Sequence, residues 1–426
     1  MKKLFSTTLA AVLCLSMAGC ITSKDPRLEP MKPWEKGSVE TGKYRNVFLE
    51  AGYSQEEIDA KLAKAYSDLF ETEGPTQIYF EVGDDMAYVS DVKNRDARTE
   101  GLSYGLMVAV QLDKKEVFDK LWRWTVKNMQ HQEGPREAYF AWSVRPEAGL
   151  QNSAGSASDG EFYFVTALLF ASNRWGNDTG IDYYGEARRI LDAMWAKDGT
   201  GGVMNVINVE HKMITFTPDR GGYNYTDPSY HVPAFYEVWA EYAKDGHEDF
   251  YRECAEVSRQ FLHKACHPVT GLTPDYSNFD GTPQGRMPSF GFDSWRVPMN
   301  IAMDFSWYGK DREWQTDYIN RLHNFLYAQG VSSFVDQFEP DGSPRARPMR
   351  APGYNGVRHS LGWVSTTAAG ALMSTQDIGW EFVDEVWNAK LEPYEDGYFD
   401  PYYDGLLYLF SLMHLSGNYQ MIAPQS

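Results

Sequence analysis

The chain has few cysteines, no basic run and no metal-binding pattern, and each shortage closes off a class of protein. Of four cysteines in 426 residues, Cys14 and Cys20 fall within the first twenty, leaving Cys254 and Cys266 for the folded part. Both lie on one predicted helix, where twelve residues at about 1.5 Å each put them far beyond disulfide reach. No disulfide framework is expected. The nine histidines form no HExxH and neither cysteine stands in a CxxC, so nothing asks for a metal, and no cofactor is expected. Lys and Arg number 40 against 59 Asp and Glu, a formal charge of -19. Binding a phosphate backbone needs cations that displace counterions, which argues against a nucleic-acid partner. After residue 40 there is no Pro-, Gly- or Ser-rich linker long enough to divide the chain.

What the first forty residues do contain is a leader. Lys2 and Lys3 precede "LFSTTLAAVLCLSMAG", a charged start and an apolar core too short to span a membrane as a helix. The ending "LSMAGC" resembles the lipobox of bacterial lipoproteins, which makes Cys20 the lipidated first residue of the mature protein. Residues 1–20 are therefore expected to be a signal, 21–40 a tether, and 41–426 one folded domain. The product would be a monomeric lipoprotein of the bacterial cell envelope, in the periplasm or on the outer membrane, touching membrane through its lipid anchor alone.

The remainder is 43% hydrophobic and 15% aromatic, ample for a large core. Scanning at a period of 3.6 gives about a dozen helices and few strands, "TQIYFEV" and "AYFAWSV" being the best extended pieces. The helices alternate between two kinds. Small, apolar ones such as "GLSYGLMVAVQL" and "LGWVSTTAAGALM" read as buried all round; amphipathic ones such as "KKEVFDKLWRWTVKNM" read as half-exposed. The buried kind starts near residues 100, 160, 231, 296, 360 and 404, with an amphipathic helix after each of the first five and one more, "SQEEIDAKLAKAYSDLF", ahead of them all. Six inner and six outer helices predict an all-α (α/α)6 barrel.

In a closed ring the inner helices run the same way, so the six loops before them gather at one rim. These loops are rich in Gly, Pro, Asp and aromatics, and they bring together Glu100, Asp159, Tyr230, Asp293, His359 and the rings of "DPYYDG". Carboxylates accept from hydroxyls while aromatic faces stack on sugar rings, so this rim suits a neutral, polyhydroxylated chain. Cleaving a glycosidic bond requires one protonated carboxyl and one carboxylate in different environments. Glu100 heads a buried helix, where desolvation raises its pKa and the helix dipole lowers it. Plain structural roles compete with each assignment: a first-turn charge for Glu100, N-caps for Asp159 and Asp293, and a cap of the following helix for His359.

Several stretches decide between these readings. "YFEVGDDMAYVSDVKNRDARTEGLSYGLMVAVQLDKKEVFD", "GPREAYFAWS", "SDGEFYFVTALLFASNRWG", "DPSYHVPAFYE" and "CHPVTGLTPDYSNFDGTP" resemble glycoside hydrolase family 8, in register from about residue 40 to the final "LYLFSLMHLSGNY". The resemblance is strongest to members that release xylose from the reducing end of xylo-oligosaccharides. It implies an (α/α)6 fold and an inverting mechanism, with Glu100 of "TEGLSYG" as general acid and Asp293 of "FDSWRV" as general base. Asp159 would hold the sugar at the cleavage site and Tyr230 of "DPSYHVP" would orient the attacking water. Trp142 of "YFAW" would be a stacking platform on the non-reducing side, with core packing as its alternative. Arg296 would anchor the base, and His359 would hold the anomeric hydroxyl. The chain departs from its relatives at Trp295, where they carry tyrosine, and around "VRHSLG". The alternatives are an internal-cutting xylanase, glucanase or chitosanase of the same family, and a non-catalytic glycan-binding lipoprotein.

Overall fold

The computed structural model describes residues 25–348, 350–351 and 354–424; the leader with Cys20 lies outside them. Two single turns, α1 (Ser38–Thr41) and α2 (Val47–Glu50), precede twelve longer helices. These are α3 (Gln55–Phe70), α4 (Thr99–Gln111), α5 (Lys115–Asn128), α6 (Ser158–Trp175), α7 (Tyr183–Trp195) and α8 (Pro233–Tyr242). They continue as α9 (Glu248–Ala265), α10 (Val297–Trp307), α11 (Arg312–Tyr327), α12 (Leu361–Ala369), α13 (Gly379–Asn388) and α14 (Tyr403–Leu415).

The even-numbered helices from α4 to α14 form the inner ring. Their residues dictate it: every residue of α12 is buried, as is every residue of α14 except Tyr403 and every residue of α4 except Glu100. Each inner helix packs against the next, and Tyr104 on α4 meets Phe410 on α14 edge to face at 5.1 Å to close the circle. Small residues permit the close crossings. A Cβ on Gly160 of α6 would lie 2.4 Å from Thr99 Cβ, so α6 runs against the start of α4 with no room for a side chain. The odd-numbered helices pack outside. Each of α5 to α13 lies against the inner helix it follows, and α3 packs on α14, so the first and last long helices complete the sixth pair. This is the (α/α)6 barrel the periodicity predicts. α3 opens with a capping box in which Ser54 and Glu57 satisfy each other's backbone amides.

Of the two expected extended pieces, "TQIYFEV" supplies Tyr79–Val82, paired antiparallel with Met86–Val89. "AYFAWSV" is mostly loop: Ser143–Arg145 pairs, joining Ala97–Arg98 on one side and Leu150–Ser153 on the other, and Phe140 makes a single antiparallel bridge with Gln130. The Phe140 amide is taken instead by the carboxylate of Glu161 on α6, at 3.2 Å. That small sheet holds the residues just before α4 and so aims Glu100.

Over its described part, 25–40, the stretch expected to be a tether makes contacts with the barrel. Glu29 O accepts from Trp380 Nε1 at 2.9 Å, Met31 is 2% exposed, and Ser38 Oγ donates to Ser306 O at 2.8 Å. Its apolar residues are too few to show periodicity, yet Met31 finds a slot on the outer wall while Leu28 and Val39 stay exposed. Cys254 and Cys266 are both buried and free.

Candidate active site

A cleft of about 430 Å³ opens at the N-terminal ends of the inner helices, bounded by Glu100, Asp159 and Asp293 and by the rings of Trp142, Phe216, Tyr230 and Tyr276. The loops before α4, α6, α8 and α10 all reach it. The approach to α14 contributes from behind, where the Tyr402 hydroxyl donates to Glu100 Oε1 at 2.9 Å.

Arg296 is the hub. It closes the 3-10 turn Asp293–Arg296 that leads into α10, and its guanidinium is buried. Nη1 lies 2.9 Å from Glu100 Oε2 and 3.6 Å from Asp159 Oδ2; Nη2 lies 3.0 Å from Asp293 Oδ1 and 3.4 Å from Asp227 Oδ2. The expected link to Asp293 is present, and three further carboxylates share the same cation. One guanidinium is shared by four acids, and burial works against their charged forms. Burial pushes Glu100 up to about 7, against Arg296, with the negative charge of Asp159 adding to the rise. Burial likewise raises Asp159, and raises Asp227 well above the usual carboxylate range. At Glu100, then, desolvation outweighs the helix dipole.

Neither aspartate caps a helix. The residue before α6 is Ala157, which offers no side-chain cap; Asp159 sits inside the first turn and accepts from the Gly160 amide at 2.9 Å. Asp293 turns to Arg296 and the cleft, and the amides on either side of it, Gly291 and Ser294, are held by Asp275 Oδ1 at 3.0 and 3.1 Å. Asp275 is fully buried, which pushes it up to about 7. The cap of the Asp293 loop therefore comes from a residue eighteen positions upstream in sequence.

Trp142 is 37% exposed and lines the cleft, so it is no core residue. Its carbonyl accepts from the Thr99 amide at 3.0 Å, which ties this ring to the first turn of α4 and hence to Glu100. Tyr230 ends the 3-10 turn Pro228–Tyr230, wedged against Phe162 and Phe216 with the Arg296 guanidinium 5.4 Å from its ring. Among the described residues its hydroxyl has no hydrogen-bond partner.

His359 is the exception. Its Nδ1 lies 2.8 Å from Phe334 O and its Nε2 lies 3.2 Å from Glu385 Oε1 on α13, so both ring nitrogens are occupied on the outer-helix side. It does not line the cleft with the other site residues. The cap reading fails: Ser360 stands at the N-cap of α12 and no side chain caps it.

Three site residues escape the sequence reading, Arg98, Asp227 and Asp275, and Tyr402 is read there only as one of the two rings of its motif. Asp227 and Tyr402 lie inside conspicuous motifs, "DPSYHVP" and "DPYYDG", but nothing local says which member of each motif faces the acid cluster. Among the described residues no group of three or more His, Cys, Asp or Glu side chains is placed to hold a metal; the acids surround a guanidinium instead.

The family model for glycosyl hydrolases family 8 matches residues 85–336. The chain is 40% identical to the reducing-end xylose-releasing exo-oligoxylanase Rex8A of Paenibacillus barcinonensis, over 91% of this chain and 98% of the relative. It is 41% identical to the reducing end xylose-releasing exo-oligoxylanase of Halalkalibacterium halodurans, over 93% and 98%. A solved structure of a Rex8A variant complexed with an arabinofuranosyl-xylotetraose superposes with a TM-score of 0.84 at 39% identity, covering 92% of this chain and all of that one.

Proposed function

The chain belongs to glycoside hydrolase family 8, and from that premise we propose that it releases xylose from the reducing end of xylo-oligosaccharides with inversion at the anomeric carbon. Relatives that span nearly their whole length with this chain carry that activity in their names, and one has been solved with an arabinofuranosyl-xylotetraose bound.

The observation that carries the chemistry is the pairing of Glu100 and Asp293 across one guanidinium. Glu100, pushed up to about 7, holds a proton to give the leaving oxygen. Asp293, with its side chain one third exposed, faces the cleft and takes a proton from water. Sitting on different nitrogens of Arg296 at 2.9 and 3.0 Å, their facing oxygens are at most about 8 Å apart, compatible with the roughly 6.5 to 9.5 Å an inverting pair requires. Tyr230, its hydroxyl free to meet a ligand, orients that water; Asp159 holds the sugar at the cleavage point; Trp142 stacks on the next sugar toward the non-reducing end.

Xylose release from xylopentaose tests the assignment. Glu100→Gln and Asp293→Asn each lower turnover by roughly 10² to 10⁴-fold, and proton NMR of early product shows the inverted anomer. Near-normal turnover in either variant overturns the role of the residue replaced, and retained configuration overturns inversion. Oligosaccharides reduced to alditols are cleaved poorly if the reducing sugar is recognised; equal rates would indicate an internal-cutting enzyme.

The "LSMAGC" ending supports a lipid anchor on Cys20 and residence in the cell envelope. Radiolabelled palmitate enters the native chain and not Cys20→Ser; label in both would refute the anchor.

A further inference from the structure

Glu100 stands at the head of α4 between two donors, and only Arg296 belongs to the acid–base pair already described. The other is the Tyr402 hydroxyl, 2.9 Å from Oε1. Tyr402 is 2% exposed and comes from the last turn of loop before α14, on the far side of the ring closure from the base. It reaches the carboxylate only because residue 101 has no side chain. A Cβ on Gly101 would lie 2.4 Å from Tyr402 Cε2 and 2.9 Å from its hydroxyl oxygen. The dipeptide Glu100-Gly101 and Tyr402 thus form one fitted unit.

We propose that Tyr402 is a positioning residue that fixes the orientation of Glu100 and favours its charged form by donating to Oε1, with Gly101 supplying the space. The proposal rests on Glu100 being the proton donor of the reaction. With Arg296 on Oε2 and Tyr402 on Oε1, both oxygens are directed, and the carboxyl has no freedom to swing out of line with the scissile bond. The groups facing Glu100 are the cations Arg296 and Arg98 and the carboxylates Asp159 and Asp293. Tyr402 is the phenol bonded to it, and Tyr104, Tyr163 and Tyr403 feel its charge from α4, α6 and α14. Burial keeps the Tyr402 phenol protonated, so it remains a donor throughout the working pH range. A hydrogen bond to the anion lowers its pKa. In the native protein that donor restrains the rise that burial imposes, and keeps Glu100 acidic enough to give its proton up.

The test is the pH dependence of kcat/KM on xylopentaose for Tyr402→Phe, in which only the donor is lost. The alkaline limb, which reports loss of the Glu100 proton, moves up by roughly half to one unit. kcat falls about tenfold as the carboxyl loses its alignment, with KM little changed. Gly101→Ala, which pushes on the Tyr402 ring, moves the same limb in the same direction. An unmoved alkaline limb in Tyr402→Phe, in a protein with the parent's melting temperature, overturns the proposal. Failure of the underlying reading is distinguishable, because near-normal turnover by Glu100→Gln would remove the proton donor itself.

Discussion

Arg296 shows how one residue can organise a cluster of acids through geometry alone. A guanidinium presents several donors in a fixed fork, and in this cleft the fork holds Glu100 and Asp293 on separate nitrogens while burial raises the acids around it. The same physics acts beyond the cleft. Glu161, two residues past Asp159 on α6, is completely buried and is pushed up to about 8 by desolvation. Asp275 and Asp404 are pushed by burial to about 7. For each of these groups the native state keeps a proton that the unfolded chain has already released above the ordinary carboxyl range. Their contribution to stability is therefore complete below the unfolded pKa, near 4, and is lost as pH rises through the folded values of 7 to 8. Glu161→Gln removes the largest of these protons and keeps an oxygen for the Phe140 amide. Urea midpoints measured at pH 5, 7 and 8.5 fall with pH in the parent and fall less steeply in Glu161→Gln. Parallel slopes would mean that Glu161 is ionised in the native protein.

At the scale of the element, helices are legible wherever burial is uniform along a segment. Starts expected near 100, 160, 231, 296, 360 and 404 lie at Thr99, Ser158, Pro233, Val297, Leu361 and Tyr403. A run such as "LGWVSTTAAGALM" can only be buried, and a run such as "EDFYRECAEVSRQFLHKA" can only be half-buried. The loops obey no such pattern. Asp159 and Asp293 look like caps because an acid beside a helix start usually is one, and the force that turns them away is Arg296, which local sequence does not link to both. The His359 ring is set by Phe334 and by Glu385 on a different helix, so its motif says nothing about which way it points. Asp275 takes the capping role of Asp293 from a distance, and Tyr402 needs the accident of a glycine at 101. Site residues on inner-helix starts are therefore readable from sequence, while those that support them from loops are not.

At the scale of the molecule the ring has two ends with different tasks. The N-terminal ends of the inner helices carry the chemistry; the C-terminal ends are sealed by the last residues of the chain. Gln420 pairs with Gln111 at the end of α4, its carbonyl accepting at 2.7 Å and its amide donating at 2.8 Å. Asn173 on α6 donates to Ile422 O at 2.8 Å, and Trp307 at the end of α10 donates to Tyr419 O at 3.1 Å. Tyr419 is the centre of this plug. It is 2% exposed, stacked on Trp307 at 5.6 Å and on His414 at 4.2 Å, and set edge to face on Phe410. Removing a buried aromatic ring leaves a cavity that neighbours fill only in part, so Tyr419→Ala costs about 3 to 5 kcal/mol. The plug meets α4 at the end away from the cleft, and although the Tyr419 ring neighbours Tyr104 and Tyr163, Glu100 itself is held by Arg296 and Tyr402, so that cost falls on the closure of the barrel and not on the placement of Glu100. Urea unfolding of Tyr419→Ala gives a markedly lower midpoint, while kcat on xylopentaose measured well below the melting temperature stays within about twofold of the parent, as expected when distant sites act independently. A variant of unchanged midpoint would show that the tail only covers the barrel, and a variant of unchanged midpoint but depressed kcat would mean that the two ends of the ring are coupled through the inner helices.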